Sequence, residues 1–172
     1  KSFKILENKL SKHKSQENSL TFPTGYMTNL GVITSLVKKN DLVLSDEKNH
    51  ASLIEACKMS DAKTSIFKHN NMDDLESKIK TKAKRKFIIT EGVFSMDGNF
   101  SNLKRISEIS DKNNAITILD DAHGDFILGD DGKGTANHFG VSKKIDVYTS
   151  SLSKGLGSFG GYVSSKKMWL NC

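Results

Sequence analysis

Residues 87–123, FIITEGVFSMDGNFSNLKRISEISDKNNAITILDDAH, decide the fold. Residues 87–90 form a short apolar run rich in β-branched side chains, which predicts a strand. Residues 103–110 follow with amphipathic helical spacing, and residues 115–119 predict a second strand. A strand, a helix and another strand make a βαβ unit, which lays the two strands parallel. Both strands end on polar residues, Glu91-Gly92 and Asp120-Asp121. In parallel sheets ligands bind beyond the carboxyl ends of the strands, so these residues merit attention first.

The alternation continues outward. Toward the amino terminus, residues 41–45 and 64–67 predict strands, followed by helices at 51–59 and 72–79. The second of these helices carries Asp73, Asp74 and Glu76 early, as its dipole favours. Residues 3–13 predict a helix with Phe3, Leu6 and Leu10 on one stripe, and residues 27–37 another, after the turn Pro23-Thr24-Gly25. Toward the carboxyl terminus, residues 145–149 and 161–164 predict two more strands. The pattern specifies an α/β domain with a mostly parallel sheet covered by helices. The chain begins inside a helix and reaches Cys172 as a new element starts at Trp169, so it is expected to be part of a longer protein.

Composition narrows the function classes. With 172 residues there is room for one core. No apolar run approaches the ~18 residues a membrane span needs, and the first residues lack the apolar segment of a signal peptide, so a cytoplasmic location is expected. The formal net charge is +6, but of 26 basic residues only Arg85 and Arg105 are arginine. Arginine is the usual reader of phosphate forks and base edges, so no nucleic-acid partner is expected. Cys57 and Cys172 are too few for a disulfide framework or a zinc site, and Cys57 reads as a small buried hydrophobe.

Five segments could carry chemistry. Lys154 follows a strand, with Ser151 and Ser153 before it and four glycines in the seven residues after it. Glycines admit close backbone approach, and a desolvated lysine there can act as an amine nucleophile. A surface lysine in a Gly-rich hairpin is the bland reading. Asp120 at a strand end, with His123 three residues on, admits three: a metal site, an NTPase acidic box, or a carboxylate partner for a pyridinium nitrogen. No ligand cluster accompanies the first and no GxxxxGK[ST] loop the second; Asp120 merely capping a turn also stands. Asn49-His50-Ala51-Ser52 could set His50 over a planar ring or leave it at a helix start. Glu91 to Gly98 is a strand end and Asp-Gly turn containing Ser95. Thr24-Gly25-Tyr26 opens a helix, where free amides suit a phosphate.

In this order the segments resemble the α-oxoamine synthases, over about residues 20–163. The resemblance implies the large domain of a fold-type I pyridoxal-phosphate enzyme, lacking the family's amino-terminal arm and carboxy-terminal small domain. It implies that Lys154 carries the cofactor as a Schiff base and moves the substrate's α-proton. Asp120 would pair with the pyridine nitrogen, His123 with the phenolic oxygen, with Ser95 nearby, and His50 with the ring face. Thr24, Gly25, Tyr26 and Ser151 would hold the phosphate; Ser151 stands where the family usually has threonine. It also implies an amino acid and an acyl-CoA as substrates, decarboxylative condensation, a homodimer, and no metal. An aminotransferase or aldolase of the same fold, or an inactive or non-catalytic piece, are the alternatives.

Overall fold

The computed structural model describes residues 2–166 and 169. In chain order the elements are α1 (Ser2–His13), β1 (Asn18–Phe22), α2 (Gly25–Leu36), β2 (Leu42–Asp46), α3 (Ala51–Met59), β3 (Lys63–Phe67), α4 (Met72–Lys78), β4 (Lys86–Glu91), α5 (Leu103–Asn113), β5 (Ile116–Asp120), α6 (Thr135–His138), β6 (Val147–Ser151) and β7 (Gly161–Ser165). The strands form one sheet in the order β1-β7-β6-β5-β4-β2-β3. Strands β3, β2, β4, β5 and β6 run parallel, and β7 runs antiparallel to both β6 and β1. The α/β architecture and mostly parallel sheet read from the sequence are therefore present.

Alternation along the strands sends side chains to opposite faces. In β4, Phe87 and Ile89 join a core with Val32 and Ile33 of α2 and Leu53 of α3. Ile88, between them, packs on the other side with Leu75 of α4 and Ile106 of α5. A strand covered on both faces reads as a continuous apolar run, which is why 87–89 alternates so little. Cys57 sits in the first core, as expected of a small hydrophobe.

Two strand expectations need correcting. β1 went unread because three of its five residues, Asn18, Ser19 and Thr21, are polar; it is an edge strand whose partner, β7, is distant in sequence. The strand expected at 145–149 is shifted two residues, to Val147–Ser151. The Asp146 carboxylate itself accepts from the Thr117 amide at 2.9 Å, a side chain doing there what the ladder does further on. The element expected from residue 169 lies outside the described residues apart from Trp169, and so does Cys172.

Candidate active site

Parallel strands put their carboxyl ends along one edge. β4 ends at Glu91, β5 at Asp120 and β6 at Ser151, while β2 leads through a short turn to His50, the N-cap of α3. These ends wall a cleft of about 500 Å³. Thr24, Gly25, Tyr26, His50, Ser95, Asp120, His123, Ser151 and Lys154 all line it. So do Asn29, Ser52, Glu91, Ala122 and Ser153, which the sequence reading did not assign.

One end of the cleft is built for an anion. Thr24 caps α2, its hydroxyl accepting from Met27 N at 3.0 Å, and the first amides of a helix lack intrahelical acceptors. These amides and the helix dipole favour negative charge. Two glycines bring the helix close: a Cβ on Gly25 would lie 3.0 Å from Ser151 Cβ, and one on Gly161 would lie 2.7 Å from the Gly25 backbone. The Ser151 and Ser153 hydroxyls, 2.7 Å apart, add donors on the facing side.

Asp120 supplies the opposite polarity. It is 7% exposed; Oδ1 accepts from Ala122 N at 3.0 Å and Oδ2 from Asn29 Nδ2 at 2.6 Å. It does cap the following turn, then, but that bond occupies only one oxygen. No lysine or arginine pairs with it among the described residues, and burial raises its pKa against the pull of those two hydrogen bonds. A carboxylate so placed gains most from a cationic partner. Glu91 lies beside it in the sheet register. Burial, then the neighbouring Asp120 charge, push the Glu91 carboxyl up to about 7.

His50 does occupy a helix start with a satisfied ring: its Nδ1 lies 3.1 Å from Ser52 N and 2.8 Å from Ser52 Oγ. Its backbone amide donates to Glu91, as does that of Ser95. Burial, then the Lys154 charge, lower the His123 pKa, favouring a neutral ring. Lys154 is exposed on the cleft, and among the described residues its side-chain amine makes no hydrogen bond or salt bridge. Of the unassigned residues, Glu91 had a legible signal, as a carboxylate closing β4. Asn29, beside Thr28 in α2, had none that pointed to a carboxylate of another element.

The sequence profile of the family aminotransferase class I and II matches residues 3–172. The 8-amino-7-oxononanoate synthase of Thermoanaerobacter pseudethanolicus is 46% identical, over 96% of this chain and 44% of its own length. The 8-amino-7-oxononanoate synthase 1 of Bacillus subtilis is 40% identical, over 96% and 43%. Among solved structures, Sphingomonas wittichii serine palmitoyltransferase superposes with a TM-score of 0.94 at 32% identity, over 98% of this chain and 43% of that one. Francisella tularensis 8-amino-7-oxononanoate synthase gives 0.87 at 29% identity, over 98% and 49%. The chain thus spans less than half the length of these relatives. It belongs to the class I and II aminotransferase family.

Proposed function

We propose that this chain is the cofactor-binding large domain of a pyridoxal-phosphate-dependent acyltransferase, which condenses an amino acid with an acyl-CoA and releases carbon dioxide and CoA. The observation that carries this reading is the meeting, in one cleft, of a helix-start anion pole, a buried carboxylate and a side-chain amine, the last two without a charged partner among the described residues. That donor set fits pyridoxal phosphate. Thr24, Gly25, Tyr26 and Ser151 would hold its phosphate, Asp120 its protonated ring nitrogen, His123 and Ser95 its phenolic oxygen, and Lys154 its aldehyde carbon. When bound, the cofactor supplies an electron sink for charge developing at the substrate's α-carbon.

The protein's own residues do the rest. Asp120, desolvated at the carboxyl end of β5, would keep the ring nitrogen protonated. The Lys154 amine, which the Gly-rich loop after β6 places on the cleft, would remove and return the proton at the substrate's α-carbon. His50 would cover one face of the ring and orient the substrate. Relatives at 40–46% identity named 8-amino-7-oxononanoate synthase support an enzyme of that or the glycine C-acetyltransferase type. The many lysines would steer the phosphates of CoA. No described helix is long and apolar enough to cross a membrane. The full-length protein would be a cytoplasmic homodimer, and an amino-terminal arm and a small domain would account for the greater length of the relatives.

A panel of amino acids and acyl-CoA thioesters tests the reading on the full-length protein. CoA and carbon dioxide released together, dependent on both substrates, are the expected result. Keto-acid formation without CoA release would overturn it in favour of an aminotransferase.

A further inference from the structure

A polar chain crosses the floor of the cleft. Asn29 is 2% exposed, and its Nδ2 donates one hydrogen to Asp120 Oδ2 at 2.6 Å and the other toward Ser52 Oγ at 2.9 Å. Ser52, 1% exposed, lies with its Oγ 2.8 Å from His50 Nδ1. The Ser52 amide donates to the same nitrogen at 3.1 Å.

Proton directions along this chain are constrained. A backbone amide can only donate, so His50 Nδ1 must accept and carry no hydrogen. With Nδ1 unprotonated, the Ser52 hydroxyl must donate to it, while Ser52 Oγ accepts the Asn29 amide hydrogen. Two donors then converge on Nδ1, and a neutral ring must hold its hydrogen on Nε2. The Asn29 orientation is fixed in turn by Asp120: reversing the amide would set its oxygen against a carboxylate oxygen.

The geometry points to Asn29 as a positioning residue that ties Asp120 to His50 through Ser52, so that His50 offers Nε2–H to the cleft as a hydrogen-bond donor. Asn29 and Ser52 touch neither substrate nor reacting atoms in this account; they act through the two residues they join. Presented this way, His50 meets an acceptor oxygen on a ligand and does not remove a proton from one.

The test combines the histidine tautomer with cofactor affinity. Nitrogen-15 NMR of the cofactor-free full-length protein, assigned with a His50→Gln variant, reads the tautomer without any ligand. The expected result is an unprotonated Nδ1 and a protonated Nε2. Dominant protonation of Nδ1 overturns the inference, and this measurement needs no variant at the chain itself. Asn29→Ala and Ser52→Ala each leave the Ser52 amide on Nδ1, so the Nε2–H form should persist while pyridoxal phosphate binding weakens by about tenfold, the scale of one lost buried hydrogen bond. Ser52→Thr, which keeps the hydroxyl, should bind the cofactor as wild type does. Affinity within twofold of wild type in both alanine variants would also overturn it. The affinity arm rests on the cofactor reading above; if the wild-type protein binds no pyridoxal phosphate while the tautomer is as expected, that reading fails and this one stands.

Discussion

Two carboxylates lie side by side in the cleft, Glu91 and Asp120, and both have raised pKa values because burial disfavours their charged forms. For Glu91 the folded value of about 7 exceeds the ordinary 4.5. The fold therefore favours its neutral form, and that contribution is complete below about pH 4.5 and lost as pH rises through 7. Asp46, His50 and His123 are the titratable groups around this pair. Glu91→Gln keeps an acceptor for the His50 amide and removes the ionisation. Its melting temperature relative to wild type should rise by several degrees between pH 5.5 and pH 8; a gap that stays constant would contradict the assignment. Asp120→Asn keeps the shape and removes the charge. Turnover should fall by roughly two orders of magnitude, the scale of losing a strong electrostatic contact in a dry site, with cofactor still bound. Unchanged turnover would leave Asp120 as a turn cap only.

At the scale of elements, the site depends on how closely α2 approaches β6 and β7. A Cβ on Gly161 would meet Thr28 Oγ1 at 2.4 Å and the Gly25 backbone at 2.7 Å, and backbone cannot yield as a side chain tip can. Gly161→Ala should cost about 1–3 kcal/mol by overpacking and weaken cofactor binding by displacing the Thr24–Tyr26 turn. Chemical denaturation and a pyridoxal phosphate titration measure the two effects; wild-type values in both would show that the helix adjusts freely. The elements that the sequence reveals are those with one clear period. Residues 87–90 and 115–119 are legible because burial on both faces demands apolar runs. β1 is not, because an edge strand with one buried face looks like a polar loop, and its pairing with β7 is set 145 residues away in sequence at Ser19–Ser164. The cleft was legible through residues at strand ends, such as Asp120 and Ser151. Asn29 was not, since nothing local says that one helical amide will face a carboxylate from β5.

For the molecule as a whole, the chain carries the cofactor cleft and also much exposed apolar surface. Phe3 is 73% exposed and Phe159 82%, and both line a groove between α1, the end of β1 and the loop after β6. Contiguous apolar surface of this kind favours association. Positioning of the substrate can contribute several kcal/mol to such a reaction, and relatives more than twice this length have further chain to supply it. Residues 1–172 expressed alone should therefore bind pyridoxal phosphate weakly, self-associate, and show no measurable condensation. Turnover matching the full-length protein would misplace the substrate site. The central claim is that Lys154 is the amine that carries the cofactor. Full-length protein loaded with pyridoxal phosphate, reduced with borohydride and mapped by peptide mass spectrometry, tests it directly. The account predicts a single stable adduct, on Lys154, and its loss in Lys154→Ala; an adduct on another lysine, or none at all, would contradict it.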